Sequence, residues 1–273
     1  MKYSPKQEEE LMSDIWTANI KDSPLNFVKY VFAWGQEGTP LEDFKGPRKW
    51  QEKILQDLTN HIQKNAGKLD PNMFRLAVAS GRGIGKSALV AWIILWMLST
   101  RLGSTVIVTA NTEQQLRSRT WAELGKWLTL SINGHWFAKT ATTIKPVDWF
   151  EASLKKDLQI DTGYYYGQAQ LWSEENPDAF AGVHSNYGVC LIMDEASGIP
   201  APIYSVAEGF FSEPTENRFW FAFSNPRRNQ GPFYDSFHGA KSFWNTAQID
   251  SREVEGTDRK VFEQMIEQYG EDS

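Results

Sequence analysis

The sequence predicts an α/β fold in which a mostly parallel central sheet is flanked by helices on both sides. Apolar runs of strand length alternate along the chain with longer runs of helix length. Several of the short runs are apolar almost throughout, which indicates strands that are buried on both faces, as in a parallel sheet. A chain of 273 residues can form such a sheet as one large domain, and we expect one rather than two.

The individual elements are predicted from hydrophobic periodicity and turn residues. Apolar residues recur at steps of three and four over residues 48–64, which predicts an amphipathic helix before the first clear strand. A glycine-rich turn separates that strand from an apolar helix. The clear elements after this first helix are strand 73–79, helix 86–100, strand 104–110, helix 112–130, strand 189–195 and strand 218–223. Between residues 131 and 187 only two short segments, 164–166 and 168–172, are candidate strands.

The two ends of the chain differ from this pattern. Residues 1–46 contain several Pro and Gly breaks, and we predict an amino-terminal helical segment that packs on a core of residues 47–250. Residues 251–273 are acidic and polar and are predicted to form a connector.

Composition and charge narrow the function classes. Hydrophobic residues are 41% and charged residues 23% of the chain, which argues against a disordered or fibrous protein. The apolar stretch 88–98 is too short to span a membrane, and the amino terminus lacks the apolar core of a signal peptide, so we expect a cytoplasmic protein without membrane contact. The formal net charge of −6 is unfavourable for a broad nucleic-acid surface, so any such contact must be local, weak or shared.

Residues of the types used in metal and redox sites are sparse. The single cysteine, Cys190, lies in an apolar run, where burial as a small hydrophobic residue is its expected role. The four histidines are scattered and have no cysteine partners at zinc-ligand spacing, so a structural zinc site is not expected.

The glycine-rich turn has the sequence SGRGIGKS at residues 80–87. Its glycines allow successive backbone amides to face inward as an anion-binding nest at the start of a helix. Lys86 is expected to reach the β- and γ-phosphates of ATP, and Ser87 to place its hydroxyl on Mg²⁺. Ser80 replaces the first glycine of the usual phosphate-loop pattern, but the flanking strand and helix favour nucleotide binding over an incidental glycine turn. The predicted nucleotide-binding loop consists of Ser80, Gly81, Arg82, Gly83, Ile84, Gly85, Lys86 and Ser87.

Arg82 is the unusual member of this loop. A guanidinium at this position would stabilise negative charge that develops on the γ-phosphate, as arginine fingers do. The alternative is an exposed arginine at the tip of a loop. The chemistry favours the first role and leaves the second open.

Two acidic residues, Asp194 and Glu195, follow an apolar strand, and the carboxyl ends of strands are where open α/β sheets bind ligands. We predict that Asp194 holds the Mg²⁺ and that Glu195 is the general base for an attacking water. A glutamate at this point indicates a hydrolase, because a kinase must exclude water as the nucleophile. An exposed acidic strand end is the alternative interpretation.

Other candidates lie after the next strand and before the glycine loop. Ser224 and Asn225 are placed to face the γ-phosphate, although Asn225 followed by Pro226 is also a common turn signal. Gln51 has an amide suited to reading adenine, and Trp50 has a ring suited to stacking on it. Core packing is the favoured alternative for Trp50.

Taken together, SGRGIGKS at 80–87, MDEASGI at 193–199 and FSNP at 223–226 resemble the large terminase subunits of tailed bacteriophages. The resemblance covers roughly residues 40–250. It implies the RecA-like, additional-strand, catalytic-glutamate division of the P-loop NTPases. It also implies that Arg82 acts on the γ-phosphate, that Gln51 contacts adenine, and that residues 224–226 couple hydrolysis to DNA movement. The segment FAGVH at 180–184 also resembles this family, without a physical role that we can assign to His184.

The resemblance further implies an ATPase motor that moves double-stranded DNA into a procapsid, inside the host cell cytoplasm. Its implied partners are the portal protein, the small terminase subunit and further copies of the chain in a ring on the portal. In that family an RNase H-like nuclease follows the ATPase, so residues 251–273 would lead toward a nuclease that this chain lacks, and we expect no nuclease activity.

Two other hypotheses remain open. The chain can be a nucleotide-binding assembly module with little hydrolysis, although Glu195 speaks against it. It can also be a fragment of a helicase-like ATPase, which shares the glutamine, the glycine loop and the acidic pair, but little chain follows residue 224 for a second RecA-like domain.

Overall fold

A computed structural model describes residues 2–270 and shows a central sheet of eight strands in this part of the chain. The strands are β1 Phe74–Ser80, β2 Thr105–Thr109, β3 Phe137–Lys139, β4 Thr143–Pro146, β5 Tyr166–Ala169, β6 Val189–Asp194, β7 Arg218–Ser224 and β8 Asn245–Ile249. Their spatial order is β3-β4-β5-β2-β6-β7-β1-β8. Every neighbouring pair from β5 to β8 is parallel, and β3 and β4 add an antiparallel edge. The predicted mostly parallel α/β sheet is therefore confirmed.

The order of the strands brings three predicted motifs to one edge. Strand β7 lies between β1 and β6, so an additional strand separates the glycine loop from the acidic pair, as expected for this division of the P-loop fold. Ala79 of β1 is paired with Ser224, and Asp194 of β6 is paired with Phe223. Because the three strands are parallel, their carboxyl ends place the glycine loop, the acidic pair and residues 224–226 side by side.

Helices cover both faces of the sheet. They are α1 Pro5–Ile15, α2 Ala18–Lys21, α3 Pro24–Val31, α4 Lys49–Asn65, α5 Lys86–Thr100, α6 Glu113–Gln115, α7 Ala122–Leu130, α8 Asp148–Asp157, α9 Ala201–Glu208, α10 Pro232–Asp235 and α11 Arg259–Tyr269. A π-helix, Leu116–Trp121, joins α6 to α7, and short 3₁₀ turns occupy Gly134–Trp136, Pro177–Phe180, Ala196–Gly198, Gly209–Phe211 and Lys241–Phe243. Across residues 2–270, none of the helices combines the length and the apolar character that a bilayer crossing requires.

The sheet separates two hydrophobic layers. Alternate residues of each strand enter opposite layers, so Val78 packs with α4, α5 and α7 while Ala77 packs with α9. Because both layers are apolar, the strands form continuous apolar runs in the sequence. Cys190 on β6 is fully buried, as predicted, and burial raises the pKa of its thiol.

The amino-terminal helices contact the core through hydrogen bonds as well as apolar side chains. The Trp16 indole donates to the Ser99 carbonyl at 3.0 Å, and the Trp96 indole of α5 donates to the Lys21 carbonyl at 2.9 Å. Buried Ile15 and Phe27 belong to the same hydrophobic layer as α5. These contacts support the proposal that residues 1–46 form a helical segment packed on the core, of which Met1 lies outside the described residues.

Several elements differ from the sequence prediction. Residues 112–130 are helical as expected but contain the π-helix, and the two candidate strands at 164–166 and 168–172 are replaced by the single strand β5. Strand 189–195 ends one residue early, because Glu195 adopts a left-handed conformation. The strands β3, β4 and β8 and the helix α8 were not predicted, since these short edge elements are rich in polar residues. Within the proposed connector 251–273, the structure contains a turn and α11, and residues 271–273 lie outside the described part.

Candidate nucleotide-binding site

The glycine loop connects β1 to α5 as a tight turn. Gly83 and Gly85 have left-handed backbones, with φ of 73° and 90°. Gly85 is the N-cap of α5, and Lys86 is the first residue of the helix. The loop therefore presents the amino-terminal end of a 15-residue helix, where free backbone amides and the helix dipole favour an anion.

Lys86 joins two of the predicted motifs. Its Nζ donates to the Gly81 carbonyl at 2.9 Å and to Asn225 Oδ1 at 2.8 Å. Burial lowers the pKa of Lys86, and nearby Arg82 and Arg227 act in the same direction, whereas Asp194 and Glu195 oppose the shift. The ammonium group thus lies within reach of both acids at the end of the loop, in surroundings that would be better satisfied by an additional negative charge.

The acidic pair is held by hydrogen bonds from outside its own strand. Asp194 Oδ2 accepts from the Thr120 hydroxyl at 2.6 Å, and Asp194 Oδ1 accepts from the Glu195 backbone N–H at 3.0 Å. Burial raises the pKa of Asp194, and the bond from Thr120 opposes that shift. Glu195 has φ 56° and ψ 40°, and its carbonyl accepts from Asn111 Nδ2 at 3.1 Å.

Residues 224–226 bridge the loop and the acidic segment. The Ser224 hydroxyl donates to Ser197 Oγ at 2.8 Å and accepts from the Ser197 backbone N–H at 3.1 Å. The next residue, Asn225, accepts from Lys86. A displacement of this turn would therefore move the contacts on both sides together, which is the geometry that a coupling segment requires. Pro226 is exposed at its end.

The two adenine candidates have different surroundings. Gln51 Nε2 donates to the Gly85 carbonyl at 2.8 Å, and Gln51 Oε1 accepts from the Arg48 N–H at 2.9 Å. Its amide therefore already braces the glycine loop, and an adenine contact would have to use the remaining N–H or lone pair. Trp50 is only 8% exposed, and its indole donates to the Ile84 carbonyl at 3.1 Å. We assign Trp50 to packing instead of adenine stacking, because its ring lies in the hydrophobic layer.

The remaining loop residues divide between core and surface. Ile84 is fully buried and Ser80 is 3% exposed, so both act as anchors of the loop. Arg82 is exposed, beside the half-buried Ser87 and Lys86. This position leaves the guanidinium free to turn toward a phosphate bound at the loop.

The donor set fits Mg²⁺. Magnesium takes oxygen ligands and is usually held by one or two protein groups together with substrate phosphates. Asp194 uses one hydrogen bond on each carboxylate oxygen, so lone pairs remain for a cation. Elsewhere in the described chain, no three His, Cys, Asp or Glu side chains gather as a metal site. Asp194 and Ser87 remain the residues that would hold the ion.

Some residues at the site were not predicted from the sequence. Arg48 Nη1 donates to the Gly83 carbonyl at 3.3 Å, and Ser251 packs so close to the loop that a Cβ on Gly81 would lie 2.1 Å from its hydroxyl. Thr120 and Asn111 support the acidic pair. Nothing in the local pattern marks these residues, because each reaches the site from a distant part of the chain.

The two left-handed glycines provide a matched test of the loop. In Gly83→Ala the new Cβ meets no atom within 4 Å, whereas in Gly85→Ala it lies 2.9 Å from Gln51 Nε2. Both variants carry the strain of a left-handed alanine, of about 1–2 kcal/mol, so we expect each to lower the affinity for ATP by roughly tenfold. Gly85→Ala should bind more weakly still, because it also displaces Gln51. Equilibrium binding of labelled ATP measures the difference, and equal affinities of the two variants would contradict the bracing role of Gln51.

Comparison with known proteins gives a result for the fold alone. No protein-family model and no curated protein matches the chain. Among solved structures, the large terminase ATPase domain of Thermus phage P74-26, in a mutant form, has a TM-score of 0.50 over 72% of this chain and 84% of that one, at 18% identity. The chain has the fold of a large terminase ATPase domain.

A second terminase supports the same conclusion. The large terminase of another thermophilic bacteriophage gives a TM-score of 0.55 over 81% of this chain, at 14% identity. A different crystal form of that enzyme gives 0.51 over 90% of this chain, at 12% identity. The match covers 50% and 49% of the chains in these two crystal forms, so the terminase fold of this protein accounts for about half of that enzyme.

Proposed function

We propose that this protein is a Mg²⁺-dependent ATPase that acts as the motor domain of a DNA-packaging terminase. The observation that carries the proposal is the contact of Lys86 with Asn225 beside the acidic pair. It gathers the glycine loop, residues 224–226, Asp194 and Glu195 at one sheet edge. Phosphoryl transfer needs such a set, because positioning and charge stabilisation supply nearly all of its catalysis.

Each residue has a distinct role in the proposed reaction. Lys86 and the loop amides hold the β- and γ-phosphates, and Arg82 turns inward to stabilise the charge that develops on the γ-phosphate. Ser87 and Asp194 hold Mg²⁺, which when bound neutralises phosphate charge. Glu195 accepts a proton from the attacking water, which makes the reaction a hydrolysis.

The motor role follows from the fold and from residues 224–226. The solved structures with this fold are large terminases and a terminase ATPase domain. We propose that release of the γ-phosphate from Lys86 shifts Asn225 and, through Ser224, the segment at Ser197. In this proposal the movement is passed to double-stranded DNA inside the host cell cytoplasm, by copies of the chain arranged in a ring on a portal protein and supplied with DNA by a small terminase subunit.

The proposal is tested by ATP turnover of the purified chain with and without Mg²⁺. We expect turnover that requires Mg²⁺ and that is stopped by EDTA, together with binding of labelled ATP. ATP binding with no turnover at any Mg²⁺ concentration would overturn the hydrolase and favour an assembly module. Addition of double-stranded DNA and portal protein should raise the turnover, and a lack of response to both would count against the motor role.

A further inference from the structure

The helix after β2 is irregular at one place, and the irregularity faces the site. The π-helix Leu116–Trp121 interrupts the run from α6 to α7. Two consecutive residues in it, Thr120 and Trp121, are 0% and 1% exposed. In a regular α-helix neighbouring side chains point about 100° apart, whereas the wider π turn brings one more residue onto the inner face. Trp121 fills the core, and Thr120 is the additional inward residue.

The buried hydroxyl of Thr120 is hydrogen-bonded to the acidic pair. It donates to Asp194 Oδ2 at 2.6 Å. A buried hydroxyl is costly unless it is hydrogen-bonded, so the bond fixes both groups. With the Glu195 N–H on the other oxygen, two donors set the plane of the Asp194 carboxylate. Its free lone pairs then point away from these donors, toward the position of the metal.

The same stretch of chain also holds Glu195. Asn111, which follows β2, donates from Nδ2 to the Glu195 carbonyl at 3.1 Å. The Gly198 N–H donates to that carbonyl at 3.0 Å, and a Cβ on Gly198 would lie 2.2 Å from Asn111 Nδ2. A left-handed glutamate is strained and persists only where its surroundings hold it. Asn111, with Gly198 leaving room for it, supplies that hold.

We propose that residues 111–121 are the positioning element of the acidic pair, in which Thr120 orients Asp194 for the metal and Asn111 fixes the backbone of Glu195. This inference rests on the proposed ATPase function. It places both carboxylates under the control of one connection that contains no residue of the predicted motifs. A shift of the π-helix would therefore change metal binding and the aim of the general base together.

The first test compares Thr120→Val with Thr120→Ser. The valine variant keeps the shape but loses the hydroxyl, so we expect the Mg²⁺ concentration for half-maximal turnover to rise by about tenfold or more. Binding of ATP in EDTA should not change, and Thr120→Ser should restore the Mg²⁺ dependence. An unchanged Mg²⁺ dependence in Thr120→Val, or a serine variant as impaired as the valine variant, would overturn the role of Thr120.

A readout without turnover separates this inference from the proposed function. Binding of Mn²⁺ with ATP can be followed by electron paramagnetic resonance in each Thr120 variant. If the parent protein does not hydrolyse ATP, the proposed function fails, yet weaker Mn²⁺ binding by Thr120→Val would still support the positioning of Asp194. Equal Mn²⁺ affinities of the parent and Thr120→Val would overturn it.

A double-mutant cycle tests Asn111. We expect Asn111→Ala to lower kcat at saturating Mg²⁺ by about tenfold and to leave the half-saturating Mg²⁺ concentration unchanged. In a Glu195→Gln background the same change should have no further effect, because Asn111 acts through Glu195. Additive losses in the double variant, or a shifted Mg²⁺ dependence, would contradict this role.

Discussion

Glu195→Gln is expected to lower ATP turnover by about 10²- to 10⁴-fold, the range of a lost general base, while ATP binding is unchanged. Glutamine has nearly the same size and shape as glutamate, so the left-handed backbone and its bond from Asn111 should persist. What it lacks is the carboxylate that accepts a proton from water. The loss should therefore appear in kcat and not in the affinity for labelled ATP.

The matched control is Glu213→Gln, which removes one carboxylate from an exposed position remote from these strand ends. It should turn over ATP like the parent protein. If Glu195→Gln kept more than about a tenth of the parent kcat, another group would have to be the base. The assignment of Glu195 would then be wrong, even though the ATPase itself remained.

Lys86→Met is expected to have opposite effects on catalysis and on the stability of the unliganded protein. The variant keeps an aliphatic side chain but loses the charge that faces the phosphates, so we expect turnover to fall by about 10²- to 10³-fold, with weaker ATP binding. Burial lowers the pKa of Lys86, which means that the charged form is unfavourable in the empty site. Removal of that charge should leave the melting temperature without nucleotide unchanged or raise it.

Lys156→Met on α8 is the control, because Lys156 is exposed. It should change neither ATP turnover nor the melting temperature by a measurable amount. Thermal melts with and without ATP–Mg²⁺ show both effects at once, since a bound nucleotide raises the melting temperature only where it binds. A Lys86→Met protein with the full shift on addition of ATP would remove Lys86 from the phosphate site.

Local sequence was sufficient for the elements that surround the site. The strand β1, the glycine loop and the helix α5 were predicted nearly to the residue, because apolar runs and glycine turns act over a few positions. The apolar strands β6 and β7 were predicted for the same reason. The short edge strands β3, β4 and β8 were not predicted, since their polar residues give no periodic signal and their pairing depends on neighbours far away in the chain.

The sequence by itself determined which residue types carry the proposed chemistry: the glycine loop with Lys86, the acidic pair and residues 224–226. Only the tertiary structure decided what holds them. It buried Trp50 in the core, turned Gln51 onto the loop, joined Lys86 to Asn225 and brought Thr120 to Asp194. The physical reason is that propensity and periodicity act between residues a few positions apart, whereas these contacts join strands and helices that meet only after the sheet has formed.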